Sequence, residues 1–382
     1  MPTASRAAFY APLKPPDHPA PSGDRRIARL FQQAFREIGV EPALASRFRS
    51  RDAAGDACRQ ARMAALGPAL ARRALRRLGE PRPDLWFTYH LYYKAADWFG
   101  PEAAAALGVP YIVAEASYAP KRAGGPWDLA HRRVAKAVQA AAAVLCLNPN
   151  DAACLTPIMP DPSRLIPFPP FLDIAPYRAA AAERAAARAE IGRRQGLEPD
   201  AVWLLAVGMM RAGDKAASYG ELADALAGLA GTPGWRLLAI GDGPMRPEIE
   251  RRLAKATGGR AIFTGALDEA ALARYYAAAD VMVWPAVAEA FGMAMLEGQA
   301  SGLPVVAGDV GGVGSVVQDG QSGLLTPPGD VAAFRAAVAQ LIADPALRRN
   351  FGAAGRERVF ERQSLQAAGR RLETVLEANG LR

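Results

Sequence analysis

The stretch VMVWPAVAEAFGMAMLEGQASGLPVVA, residues 281–307, decides how the rest of the chain is read. Its first four residues and the Val305-Val306-Ala307 near its end are short and wholly apolar, the pattern of strands buried on both faces. Between them Phe291-Gly292 begins a helical stretch. The same alternation repeats on either side, with strands expected at 203–207, 236–240, 261–264 and 324–326 and helices between them. Alternation of this kind predicts a parallel sheet covered by helices on both faces.

The N-terminal half repeats the pattern less clearly. Strands are expected at 7–13, 85–91, 111–116 and 142–148, separated by alanine-rich helical stretches. After the first of them, Ile27, Leu30, Phe31, Ala34, Phe35 and Ile38 fall on one helical stripe, with Asp24 near the helix start. The run Pro167-Phe-Pro-Pro-Phe171, continuing to Pro176, interrupts the alternation and reads as a linker, followed by an Ala/Arg/Glu helix at about 178–195. The fold class is therefore α/β, with two doubly wound domains in tandem. In such sheets ligands sit beyond the carboxyl ends of the strands.

Length and composition agree. At 382 residues, with 51% hydrophobic and 22% charged, the chain suits two globular domains rather than a disordered or collagen-like protein. Cys58, Cys146 and Cys154 are too scattered for a disulfide framework or a CxxC site, which fits a reducing cytoplasm. The longest uncharged apolar run, 137–147, falls short of the roughly 18 residues of a membrane span. Residues 1–16 lack the apolar core of a secretory signal.

Charge is uneven. Residues 1–173 carry 23 Lys and Arg against 15 Asp and Glu, while residues 174–382 carry 23 of each. Ten of the arginines lie in segment 47–82. Such a stretch suits an anionic membrane surface or a phosphorylated substrate; the alternative is a solvated helix face. Nucleic acid is not expected, since aromatic residues are not interleaved along the segment for base stacking, Phe48 being the one it holds.

Three loops in the second half carry candidate chemistry. In Gly208-Met-Met-Arg-Ala-Gly-Asp-Lys215, Arg211 and Lys215 flank a glycine-containing turn into a helix, a setting for phosphate or diphosphate. Gly241-Asp-Gly-Pro244, with Gly243, makes a tight turn that lets a ligand approach the backbone, but Arg246 stands where a dinucleotide fingerprint needs its third glycine. In Glu289-Ala-Phe-Gly-Met-Ala-Met-Leu-Glu297 one carboxylate precedes a helix and the other lies about two turns on. At ~1.5 Å rise per residue they could be up to roughly 12 Å apart, suited to two ends of an extended ligand such as a nucleotide-sugar.

Taken in order, these loops together with Phe263-Thr-Gly-Ala-Leu267, Ala278-Ala-Asp-Val-Met-Val-Trp-Pro285, Gly302-Leu-Pro-Val-Val306, Gly311-Gly312 and Gly323-Leu-Leu-Thr-Pro-Pro-Gly-Asp330 resemble the donor domain of retaining GT-B glycosyltransferases of family 4, over roughly 200–345. The resemblance implies a GT-B fold, two Rossmann-like domains facing each other across a cleft. It divides the chain into an acceptor-side domain at 1–172, a nucleotide-sugar domain at 173–355, and a C-terminal helix at 356–382 that packs back on the first domain. It also implies that Arg211 and Lys215 hold the donor diphosphate, that Glu297 binds the ribose, and that Glu289 with Phe291, Gly292 and Met293 holds the sugar. Leu267 would meet the base, and His90 would lie against the donor sugar.

The chain also departs from that family. Met209-Met210 separate Gly208 from Arg211, Gly311-Gly-Val-Gly-Ser315 lacks the usual carboxylate, Glu115 stands where a second histidine is common, and the first loop is Pro-rich, leaving Ser22-Gly23 near the expected place.

The resemblance thus implies a metal-independent hexosyltransferase acting in polysaccharide or lipid-linked precursor synthesis. No cofactor is expected beyond the donor itself, a UDP- or GDP-sugar, and the acceptor is unidentified. The absence of any Asp-x-Asp removes the usual ligands for a diphosphate-bound metal. The expected location is cytoplasmic, at the inner face of the membrane if the arginine segment binds it. Two rivals stand beside this reading: a non-catalytic sugar or head-group binder on the same fold, and a nucleotide-dependent dehydrogenase.

Overall fold

The computed structural model describes residues 5–20 and 22–381. The chain divides into two compact units, Met1–Pro169 with Leu365–Arg382, and Pro170–Ser364.

The first unit is built on a six-stranded sheet of β1 (Arg6–Tyr10), β2 (Glu41–Ser46), β3 (Leu85–Leu91), β4 (Tyr111–Ala116), β5 (Ala143–Cys146) and β6 (Leu165–Pro167), in the order β2-β1-β3-β4-β5-β6. All its pairings are parallel. The order reverses between β1 and β3, which marks the crevice at their carboxyl ends as the place for a ligand. After β1 the helix Gly23–Glu37 starts where the Ser22 hydroxyl accepts the Arg25 amide proton at 3.2 Å. It buries Ile27, Leu30, Phe31, Ala34 and Phe35, and Phe31 and Phe35 pack within 5.1 and 5.0 Å of the Phe87 ring. The helix Leu365–Ala378 lies against it, with Gly369 allowing close approach to Ala34, Glu37 and Ile38.

Several boundaries differ from the sequence expectation. The first strand ends at Tyr10, before Pro12, rather than at 13, and the fourth expected strand is trimmed to Ala143–Cys146 because Asn148 caps the next helix. Strands β2 and β6 were not expected at all. The units part after Pro169 rather than 172. Segment 356–382 is not one helix but the end of Pro345–Arg362 followed by Leu365–Ala378, and the 178–195 helix is two, Ala175–Ala182 and Arg184–Gln195.

The second unit holds β7 (Val202–Val207), β8 (Trp235–Ile240), β9 (Ala261–Gly265), β10 (Val281–Trp284), β11 (Val305–Gly308) and β12 (Gly323–Thr326), all parallel, in the order β12-β11-β10-β7-β8-β9. This is the order of dinucleotide-binding sheets, and it reverses between β7 and β10. The first unit has a different order, with a single strand outside β1. The outgoing and returning chains run side by side at the edge of the second unit, where the Leu172 amide donates to the Gln363 carbonyl at 2.9 Å and the Gln363 side chain to the Pro170 carbonyl at 3.1 Å. Among the described residues no helix is long and apolar enough to cross a membrane.

Candidate active site

In the second unit the loops after β7 and β10 meet at the strand-order reversal. Trp284 ends β10, fully buried, and takes the edge of Tyr219 at 5.0 Å between ring centroids. The Tyr219 hydroxyl donates to the Gly208 carbonyl at 2.8 Å, fixing the loop after β7. The Trp284 indole N–H donates to Glu289 Oε1 at 2.9 Å, and Lys215 Nζ pairs with the same oxygen while lying 5.1 Å from the Trp284 ring centroid. Both charged side chains are mostly shielded from water, Lys215 at 20% and Glu289 at 15% exposed. A fixed ammonium and a fixed carboxylate therefore share one aromatic wall, an arrangement able to hold a ligand's anionic group on one side and its hydroxyls on the other.

The backbone around the pair is drawn tight. Gly208, Met210 and Gly241 amides donate to the carbonyls of Ile240, Asp242 and Gly265 at 3.0, 2.9 and 3.0 Å. A Cβ at Gly241 would stand 1.9 Å from the Gly208 carbonyl oxygen, and one at Gly311 2.0 Å from that of Glu289, so both positions require glycine. Gly243 likewise lies against the Met210 carbonyl. On the far side of the Glu289 loop, Ser218 Oγ accepts the Val287 amide proton at 3.1 Å.

The remaining candidates are distributed as follows. Arg211 is exposed and makes no side-chain hydrogen bond or ion pair among the described residues, so Lys215 alone of the two cations joins Glu289. Phe291 is 5% exposed, Gly292 takes a left-handed conformation at φ 77°, and Met293 begins the helix Met293–Ala300, whose first turn has no side-chain cap. Glu297 lies within that helix at 3% exposure. Leu267 is half-buried after β9.

In the first unit, His90 and Glu115 lie near the carboxyl ends of adjacent strands, both left-handed at φ 61° and 56°. Strain of this kind in non-glycine residues gathers where function holds it. His90 Nδ1 donates to Asp24 Oδ1 at 3.1 Å and stands 3.9 Å from Glu115 Oε1. Burial pulls the imidazole pKa down, but the Glu115 charge and the Asp24 bond outweigh it and hold the proton above the usual range. The Asp24 carboxyl is held below its usual range, its burial outweighed by His90, whereas burial pushes Glu115 up. Ser22 serves as a helix cap beside this cluster, and Gly23 opens the helix. Trp284 and Tyr219 were missed from sequence because a tryptophan ending an apolar strand and a helical tyrosine read as core. Asp24 was seen only as a helix-start residue.

Residues 201–344 match the model of the family described as glycosyl transferases group 1. The C-terminal unit carries a group 1 glycosyltransferase domain. All of the Lys215, Trp284, Glu289 and Glu297 positions fall inside the matched group 1 stretch. The sulfoquinovosyl transferase SQD2 of Arabidopsis thaliana is 39% identical over 128 residues, 33% of this chain and 24% of that protein. The D-inositol 3-phosphate glycosyltransferase of Nocardia farcinica is 34% identical over 201 residues, 50% of this chain and 43% of that protein. The chain thus matches less than half the length of either relative. The Anabaena Alr3699/HepE structure in complex with UDP superposes with a TM-score of 0.74 at 16% identity, covering 98% of this chain and 100% of that one, which places the chain in the GT-B fold.

Proposed function

We propose that the chain is a retaining glycosyltransferase that moves a hexose from a nucleotide-diphosphate sugar to an acceptor hydroxyl. The observation that carries this reading is the Lys215–Glu289 pair on Trp284, set at the strand-order reversal of a group 1 domain. The UDP held by a neighbour of the same fold supports a nucleotide donor.

Transfer breaks the bond between the anomeric carbon and the diphosphate, so negative charge grows on the leaving phosphate as the sugar becomes oxocarbenium-like. Lys215 and the exposed Arg211 would meet that charge with charge-assisted hydrogen bonds, and the uncapped amides at the start of Met293–Ala300 would add theirs. Glu289, already anchored by the Trp284 indole, would orient the sugar hydroxyls, and Glu297 would bind the ribose. The acceptor hydroxyl would attack from the face the phosphate leaves, its proton passing to a phosphate oxygen. His90, its proton held more tightly than usual by Glu115 and Asp24, would serve as a hydrogen-bond donor to a sugar hydroxyl.

Neutralisation by these fixed cations leaves no step that needs a metal. The dehydrogenase alternative lacks the glycine fingerprint after β7, where the sequence runs Gly208-Met-Met-Arg-Ala-Gly213. Screening UDP-, GDP- and ADP-sugars for slow hydrolysis tests the proposal without an acceptor. Hydrolysis of one donor, abolished in Lys215→Ala, is the expected result; no hydrolysis with retained nucleotide binding would favour a non-catalytic binder.

A further inference from the structure

Beyond His90, the carboxyl edge of the N-terminal sheet carries a second cluster that the donor chemistry does not use. Tyr93 and Trp127 meet edge to face at 5.4 Å. Lys94 Nζ lies 5.8 and 5.4 Å from their two centroids, and the Arg122 guanidinium 5.0 and 5.3 Å from the same two. Among the described residues neither cation has a carboxylate partner, and Arg122 Nε is buried without a hydrogen-bond acceptor. Two like charges brought to one pair of rings repel each other, and a buried guanidinium N–H left unpaired is costly. An anion between or beside them would relieve both.

The loops that present these groups are tied together. The Asp52 amide donates to the Lys94 carbonyl at 2.7 Å, the Trp127 indole to the Asp52 carbonyl at 3.0 Å, and the buried Gln60 amide to both Asp52 Oδ2 and the Pro126 carbonyl at 3.0 and 2.9 Å. Arg51, hydrogen-bonded to Tyr92, adds a third cation at the rim. Ring contacts link the cluster to the histidine, His90 to Tyr92 at 4.8 Å and Tyr92 to Tyr93 at 5.7 Å. The cationic corner therefore adjoins a patch of Asp24, His90 and Glu115 whose polar atoms suit hydroxyl groups.

We propose that this edge takes an acceptor carrying an oxyanion, a sugar or polyol bearing phosphate or carboxylate, its negative group held by Lys94 and Arg122. The inference rests on the glycosyltransferase reading for the word acceptor, while the anion site itself does not. Arg offers a planar fork and Lys a point charge, which together cover the oxygens of one phosphate or carboxylate.

Binding of inorganic phosphate, glucose 6-phosphate, glucuronate and neutral glucose, measured by thermal shift and calorimetry, tests it. Phosphate binding should weaken at least about tenfold in Lys94→Gln/Arg122→Gln and persist in Lys215→Gln, which removes the donor-side cation instead. The conservative Lys94→Arg should retain binding, which separates loss of charge from loss of fold. Glucose 6-phosphate binding without glucuronate names a phosphate ester, the reverse a uronate, and neutral glucose should bind more weakly than either. Phosphate binding that is absent from the wild type, or that vanishes in Lys215→Gln and survives in Lys94→Gln/Arg122→Gln, would overturn the proposal. If the anion behaves as expected while no nucleotide-sugar is hydrolysed, the anion site stands and the glycosyltransferase reading falls.

Discussion

The Lys215 ammonium and the Glu289 carboxylate, 74 residues apart in the chain, meet against the Trp284 indole where the C-terminal sheet reverses its strand order. The indole N–H and the ammonium converge on a single carboxylate oxygen, which leaves the second oxygen and the remaining ammonium protons for a ligand. Each residue thus positions the other before any donor arrives.

Lys215→Ala should weaken nucleotide-diphosphate binding by about 1.5–3 kcal/mol, roughly 10- to 100-fold, the worth of a charged hydrogen bond. Glu289→Gln should keep the Trp284 contact and lower kcat more than it raises KM. Because Lys215 and Glu289 pair with each other, the stability cost of the double variant should be smaller than the sum of the singles, measurable by a double-mutant cycle in denaturant.

Gly311→Ala should act on Glu289 from a distance. The added Cβ would meet the Glu289 carbonyl at 2.0 Å on a backbone already at φ 60°, so the loop must shift. A loss of about 1–3 kcal/mol in stability is expected together with a fall in turnover. Unchanged thermal unfolding would show that the loop yields freely.

The His90 proton carries a pH signature. Its pKa in the folded chain is raised above the ordinary 6.5. A raised histidine stabilises the fold fully below the unfolded value and loses that contribution as pH rises through the folded one. Wild-type stability should therefore decline over a window beginning near 6.5 and extending upward, and His90→Gln should flatten that part of the profile. NMR titration of the imidazole would show a midpoint below 6.5 if Asp24 and Glu115 did not hold the proton.

Activity should persist in EDTA, since fixed cations and helix amides are the groups assigned to the leaving phosphate. Loss of transfer restored by magnesium or manganese would assign that task to an ion instead.

The helix Ala57–Leu78 should bind vesicles containing anionic lipid more strongly than neutral ones. It exposes Arg59, Arg62, Arg72, Arg73, Arg76 and Arg77, with Leu66 half-exposed between them. Replacing Arg72, Arg73, Arg76 and Arg77 by Gln should weaken co-sedimentation and lessen its salt dependence. Equal binding by both proteins would leave the arginines as a solvated face.

All six strands of the C-terminal sheet were legible in the sequence because their residues are almost wholly apolar, the inner ones also buried, as at Val281 to Trp284 and Val305 to Ala307. The two strands that escaped notice, Glu41–Ser46 and Leu165–Pro167, are the edges of the N-terminal sheet. Glu41, Pro42 and Ser46 interrupt the first and Pro167 closes the second after two apolar residues, so neither offers the apolar run that marks even the edge strands β9 and β12 of the other sheet. The charged members of the donor site were legible because loops after strands concentrate function, but the pairing of Lys215 with Glu289 was not, since it depends on which strands become neighbours. The Lys94 and Arg122 corner had no motif at all; it is assembled by three loops whose registers only the sheet sets.

The terminal helix Leu365–Ala378 completes the N-terminal unit, so the C-terminal unit is spliced into the other rather than appended to it. Excising Pro170 to Ser364 would yield a piece whose two ends are already hydrogen-bonded neighbours, a good candidate for independent expression or circular permutation. Simple C-terminal truncation does the opposite: it strips the cover from Ala34 and Ile38 and uncovers an oily stripe on the very element that carries Asp24. Deletion series on this chain should therefore damage the half they were meant to spare.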